Sequence, residues 1–191
     1  MDDGGRDRVL TLPNALSALR LLAIPLYLWL IIAAEADVWA FALLVAAGAT
    51  DWLDGYLARR LHQHSRIGQL LDPLADRLYI AATLIGLAVR SIIPWWLVLL
   101  LAARELLLLA LLPALRSAGR IALPVTYVGK TATFALLWGF PILLLSTAPG
   151  WWGSLARGIG WAFVIWGTAL YWWAGIRYAQ QAMGLHRQGQ R

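Results

Sequence analysis

Four aspartates in an otherwise apolar stretch are the residues with the most capacity for chemistry. Asp51 and Asp54 stand three positions apart, and Asp72 and Asp76 four apart. Either spacing puts two carboxylates on one face of a helix. A short connection separates the two segments that carry them, so those segments are expected as antiparallel neighbours with both pairs near the same end. Four carboxylates converging on a partly desolvated volume cannot all stay ionised without compensation. Two divalent cations cancel the charge. A donor set of hard oxygens, without histidine or cysteine, suits Mg²⁺ or Mn²⁺ better than zinc.

The neighbouring residues fit a phosphate-bearing ligand. Gly55 lies one turn past Asp51 on the same face, where a missing side chain lets a bulky group approach. Arg59, one turn further, presents a planar fork of donors suited to phosphate oxygens. Gly68 opens the second segment and allows close helix contact. Structural ion pairs with Arg77 or Arg104 would account for one pair of aspartates, but not for four with glycine and arginine at these positions.

These residues must be positioned by membrane helices. The chain has 191 residues, 61% hydrophobic and 14% charged, against roughly 45–50% and about 25% for soluble domains. It has no cysteine, which excludes disulfides and thiolate metal sites. Hydropathy divides residues 1–191 into one domain with spans at about 15–34, 38–60, 68–89, 95–115, 123–146 and 153–180. The expected fold is therefore an all-α integral membrane bundle of six transmembrane helices. Asn14, after Pro13, is expected as the N-cap of the first span, and the polar tail after Gln180 carries no assigned role. The tryptophan pairs Trp95-Trp96, Trp151-Trp152 and Trp172-Trp173 lie at span edges, where amphipathic rings anchor to headgroups.

Ten arginines flank one set of span ends and only Arg90 and Arg157 the other, so both termini are expected on the cytoplasmic side of the plasma membrane. The net charge of +6 belongs to this pattern and to anionic lipid rather than to nucleic acid. Nine ionisable residues lie inside the apolar spans: the four aspartates, Glu105, Arg20, Arg77, Arg104 and Lys130. At roughly 2.5–3.5 kcal/mol each at the bilayer centre, they are expected to face the bundle interior or a water-filled cavity.

From Asp51 to Asp76 the chain follows the pattern D-x2-D-G-x2-A-R-x8-G-x3-D-x3-D without a gap. In this it resembles the CDP-alcohol phosphotransferase family. The Leu12–Arg20 run, Asp72-Pro-Leu-Ala-Asp76-Arg77, Arg104-Glu105 and Gly129-Lys130 are similar to the branch holding phosphatidylglycerophosphate synthases and CMP-forming cardiolipin synthases. Arg77 departs from the lysine that many phosphatidylglycerophosphate synthases carry there, which keeps the charge. The resemblance implies that a phosphatidyl group passes from CDP-diacylglycerol to an alcohol, releasing CMP. It implies two Mg²⁺ (or Mn²⁺) held by Asp51, Asp54, Asp72 and Asp76, with Asp76 also the general base. Asn14, Ser17, Gly55, Arg59 and Ser65 correspond to positions that bind the CDP-lipid. A homodimer is also implied; the run Ala46-Ala47-Gly48-Ala49 would suit close helix packing within or between chains.

The acceptor is expected to be glycerol 3-phosphate, with phosphatidylglycerol as the alternative. Arg104, Arg116, Arg120 and Lys130 are the candidate acceptor ligands. Arg104 has the competing reading of a salt bridge to Glu105 or a motif aspartate, and Arg116 and Arg120 that of an ordinary basic flank. Lys130 is expected as a buried contact to the acceptor phosphate, with a structural partner as the competing reading. His62 and His64 are read as solvated loop residues. A cation transporter with a carboxylate-lined path is the reading from another class; the clustering of the acids at one membrane face opposes it.

Overall fold

The computed structural model describes residues 12–61, 66–117 and 127–189, with side chains for 18–50, 75–110, 127–181 and 183. Six α-helices follow in order: α1 Leu12–Leu28, α2 Asp37–Leu61, α3 Arg66–Val89, α4 Trp95–Ser117, α5 Tyr127–Leu144 and α6 Trp151–Gly189. No strand occurs among the described residues. Two helix ends differ from expectation. α1 begins at Leu12, so Asn14 sits inside its first turn instead of capping it. Pro13 tolerates this early start, because first-turn N–H groups have no intrahelical acceptor to lose. α6 continues to Gly189, so the polar residues after Gln180 extend the helix. Residues 123–126, read as the start of the fifth span, lie outside the described residues.

By length and composition, Tyr127–Thr147 and Trp151–Gln181 can each cross a bilayer, and Ala18–Ala33 and Asp37–Thr50 are shorter apolar stretches. The chain clusters into two compact units, Met1–Ile92 and Ile93–Arg191.

In the first unit α1 packs against both α2 and α3. Pro25 removes a backbone donor inside α1, and the helix then widens into a π-helical turn, Trp29–Ala33. Tyr27, Ile31 and Leu87 form the centre of this unit and are fully buried. α3 comes close to α1 and its π-helical turn at Gly86, where a Cβ would lie 3.3 Å from Tyr27 Cε1 and 2.9 Å from Ile31 Cγ2. The Tyr79 hydroxyl on α3 donates to the Leu43 carbonyl on α2 at 3.2 Å.

One end of this unit is closed by Arg90. Its Nη1 donates to the Ile31 carbonyl at 2.8 Å and to Asp37 Oδ1 at 3.0 Å, and Glu35 lies 3.7 Å from Nη2. The chain reverses on either side of these contacts through Glu35 and Ser91, both with left-handed backbone (φ 49° and 55°). Such conformations are strained for residues other than glycine. The arginine therefore fastens two turns that have little intrinsic preference for their shape.

In the second unit α5 and α6 form a tightly packed hairpin joined by the short 3₁₀ turn Leu145–Thr147. Glycines set the approach: a Cβ at Gly139, Gly160 or Gly167 would come within 2.9 Å of Val164, Leu143 or Leu136. Small residues serve membrane helices in this way because lipid supplies no hydrophobic drive for helix association. α4 packs on α6. Trp95, Trp96, Trp151, Trp152 and Trp173 are exposed, and the rings of Trp151 and Trp152 stack 3.6 Å apart. At Gly48, by contrast, a Cβ would meet nothing within 4 Å among the described residues.

Candidate active site

Helix ends fix the heights of the four aspartates. Asp51 lies ten residues before the end of α2, and Asp76 ten after the start of α3. Asp54 and Asp72 lie seven and six residues from the same ends. At 1.5 Å per residue, each pair stands about 9–15 Å along its helix from the α2–α3 connection. The side chains of Asp51, Asp54 and Asp72 lie outside the described ones, as do those of Gly55 and Arg59 on α2 and of Asn14 and Ser17 on α1. Ser65, His62 and His64 fall in the connection, outside the described residues.

Asp76 is described, and its setting is informative. The Arg20 guanidinium, reaching across from α1, donates through Nη1 to Asp76 Oδ1. Arg20 is only 3% exposed, whereas the Asp76 side chain is 43% exposed. A buried guanidinium thus grips one oxygen of a carboxylate that remains accessible. Sequence reasoning noticed Arg20 only as a charge inside a span and gave it no role. The available signal was that an arginine interrupting an apolar run needs an anionic partner. The chain's depth arithmetic offers one: Arg20 is nine residues into α1 and Asp76 eleven into α3.

The candidate acceptor residues do not share one setting. Arg104 on α4 is 13% exposed, and its Nη1 donates to Glu105 Oε1 at 2.7 Å. Its guanidinium lies 3.9 Å from the centre of the Tyr171 ring on α6, and the Tyr171 hydroxyl donates to the same Glu105 oxygen. Gly175 leaves room for the arginine stem, since a Cβ there would be 3.3 Å from Arg104 Cγ. Of the readings weighed for Arg104, a salt bridge to Glu105 is therefore present. Lys130 departs from expectation. It is exposed in the first turn of α5, with its ammonium 6.0 Å from the Tyr127 ring centre. Arg77 is exposed as well. The rule that intramembrane charges turn inward fails at these two positions because long aliphatic stems carry a charge along the helix toward headgroups. The Arg116 side chain and all of Arg120 lie outside what is described.

Among the described residues no three histidine or acidic side chains gather as a metal site. Three of the four aspartates are outside that set. Their donor chemistry is nevertheless clear: carboxylates alone, paired at helical spacing on two consecutive helices of one unit, are suited to Mg²⁺ or Mn²⁺.

Residues 10–173 match the family model described as CDP-alcohol phosphatidyltransferase, which takes in α2, α3 and all four aspartates. The chain belongs to the CDP-alcohol phosphatidyltransferase family. It is similar to a Streptomyces coelicolor protein named cardiolipin synthase (CMP-forming), at 53% identity over 95% of this chain and 86% of the relative. A putative cardiolipin synthase of Mycobacterium tuberculosis is 48% identical over 96% of this chain and 88% of its own length. A probable phosphatidylglycerophosphate synthase from the same species is 36% identical over 74% and 70%. This CDP-alcohol phosphatidyltransferase is accordingly a membrane enzyme of phospholipid synthesis that draws on a CDP-activated lipid.

Proposed function

We propose that the enzyme transfers the phosphatidyl group of CDP-diacylglycerol to a primary hydroxyl of phosphatidylglycerol, forming cardiolipin and releasing CMP. The sequence alone put glycerol 3-phosphate ahead of phosphatidylglycerol as acceptor. The order is reversed here on one observation: 53% identity over 95% of the chain to a protein named cardiolipin synthase, against 36% over 74% to one named phosphatidylglycerophosphate synthase.

The acceptor hydroxyl attacks the phosphorus that carries the diacylglycerol. The bond from that phosphorus to the bridging oxygen breaks, and CMP departs with the oxygen. Asp76 takes the hydroxyl proton, and Arg20 holds the carboxylate in orientation while leaving it accessible. Asp51, Asp54, Asp72 and Asp76 would hold two Mg²⁺ (or Mn²⁺), which when bound neutralise the diphosphate and the departing CMP. Gly55 leaves space for the donor, Arg59 pairs with its phosphates, and Asn14, Ser17 and Ser65 complete the CDP-lipid side. Arg104 serves the acceptor end, with Arg116, Arg120 and Lys130 as basic flank.

The protein works as a six-span helical bundle in the plasma membrane, with both termini and the active site cytoplasmic, and as a homodimer. The topology rests on the arginine asymmetry.

The test is CMP release by the purified enzyme from CDP-diacylglycerol with each acceptor in turn. Phosphatidylglycerol should support turnover and glycerol 3-phosphate little or none. EDTA should abolish the reaction, and Mg²⁺ or Mn²⁺ restore it. Turnover with glycerol 3-phosphate alone would remove the acceptor assignment, and EDTA resistance would remove the metals.

A further inference from the structure

Along the seam between α4 and α6 runs an apolar groove of about 360 Å³, within the roughly 300–1,000 Å³ usual for small-molecule sites. Trp96, Leu97 and Leu100 of α4 face Trp161, Thr168 and Trp172 of α6 across it. Two of its lining atoms are anomalous. Thr168 Oγ1 and Trp172 Nε1 are both buried, and among the described residues neither finds a hydrogen-bond partner. The hydroxyls of Thr50, Thr83, Thr131 and Thr133 donate to a carbonyl of the preceding turn, which is how a helical threonine ordinarily satisfies itself in an apolar setting. Thr168, 8% exposed, does not. Trp172 lies one turn beyond it on the same face. A buried polar atom left unpaired costs about 1–3 kcal/mol, so two neighbours in one groove point to a ligand that carries an acceptor.

The groove is also graded in polarity. At one end, around Trp96, Trp161 and Val164, it is wholly apolar. Thr168 follows along α6, and then Trp172, level with the Arg104, Glu105 and Tyr171 cluster, which is one helical turn past Leu100 on α4. Hydrocarbon chain and polar head follow one another in the same order in a phospholipid. The length agrees. The exposed Arg157 and Arg177 stand 20 positions apart on α6, about 30 Å and so one hydrocarbon thickness. Trp172 lies five residues from Arg177, about 7.5 Å, on the side that is cytoplasmic in the proposed topology. From Trp172 to Trp161 is about 16 Å, a length that one leaflet's chains occupy, so a chain seated along the groove reaches past the midplane.

We infer that the α4–α6 groove seats an acyl chain of the acceptor phospholipid, with Trp172 Nε1 donating to its ester carbonyl and the Arg104 cluster marking the headgroup end. This rests on the acceptor reading proposed above and deepens it by giving that lipid a place. A second copy of the chain is the weaker occupant, because a helix in lipid uses its own carbonyls internally and brings no free acceptor to Trp172. Diacylglycerol esters bring two.

Trp172→Phe removes the donor and keeps an aromatic ring; Thr168→Val removes the hydroxyl and keeps the shape. In mixed micelles with CDP-diacylglycerol and phosphatidylglycerol varied separately, each variant should raise KM for phosphatidylglycerol. The expected rise is about three- to tenfold, one ordinary hydrogen bond. The kcat and the KM for CDP-diacylglycerol should not move. With deacylated acceptor, glycerophosphoglycerol, variant and wild type should have the same KM. A rise confined to CDP-diacylglycerol would assign the groove to the donor and overturn the inference. An unchanged KM with an altered oligomeric state would make the groove a contact between copies. An equal rise with glycerophosphoglycerol would reduce both residues to structural roles. Should the wild type use glycerol 3-phosphate and not phosphatidylglycerol, the acceptor reading itself fails, a result visible before any variant is made.

Discussion

Among the described residues of the first unit, Arg20 and Arg90 each grip an aspartate, and the two contacts are built differently. Arg90 and Asp37 are equally part-buried, each side chain 18% exposed, and the same guanidinium also donates to the Ile31 carbonyl. Arg20 and Asp76 are unequal: the cation is buried and the carboxylate open. A contact that only holds two turns together can enclose both partners alike, provided their hydrogen bonds offset the desolvation. A contact that prepares a carboxylate for reaction must orient it and keep it exposed. On the function proposed above, asymmetry of exposure separates the working pair from the fastening one.

The largest expected effect is at the open carboxylate. Asp76→Asn keeps shape and removes proton affinity, and turnover should fall by about 10²–10⁴-fold, the usual worth of a positioned general base. Binding of CDP-diacylglycerol, measured by retention of labelled donor on the purified variant, should largely persist. Near-wild-type CMP release would take Asp76 out of the chemistry and leave the contrast with Asp37 without meaning. Arg20→Met comes next. Methionine keeps the packing between α1 and α3 while removing the guanidinium from the carboxylate. Loss of orientation should lower kcat by roughly 10–100-fold, the scale of a misplaced reacting group, with less change in KM for either lipid. A variant that loses stability but keeps kcat would place Arg20 beside Arg90 as a fastening.

Much of this architecture is legible from hydropathy, and the failures share a cause. Apolar runs locate helices in depth, and α2, α3 and α4 begin within two residues of the segments read from sequence. Rotation about each helix axis is another matter. In water a helix is polar on one side, and the period of that pattern tells which face is buried. In lipid the outer face is as apolar as the inner, so nothing in the run around Arg104 or Lys130 says that one turns toward Tyr171 and the other outward. The aspartate motif was readable because its spacing is chemical rather than hydropathic. Arg20 was visible as a charge, but its partner lies 56 residues away and follows only from packing of α1 on α3. Thr168 and Trp172 carry no signal in sequence, since an unpaired hydroxyl is a property of the fold alone.

The smallest effect on turnover is expected at the fastening contact, where the comparison is sharpest. Arg90→Met leaves Asp37 without its cation and the Ile31 carbonyl, at the π-helical turn, without its donor. Part of that loss is recovered by water, because both side chains retain some exposure. A stability loss of about 1–3 kcal/mol is expected, read as a lower midpoint in thermal unfolding of the detergent-solubilised enzyme. Turnover per folded molecule should stay within about twofold, since nothing at this end touches Asp76. The turns give an independent check. Glu35→Gly and Ser91→Gly relieve a left-handed backbone by roughly 1 kcal/mol each, so adding them to Arg90→Met should restore part of the midpoint while kcat remains level. A loss of kcat in Arg90→Met that tracks Arg20→Met, at an unchanged midpoint, would show that exposure does not distinguish the two pairs.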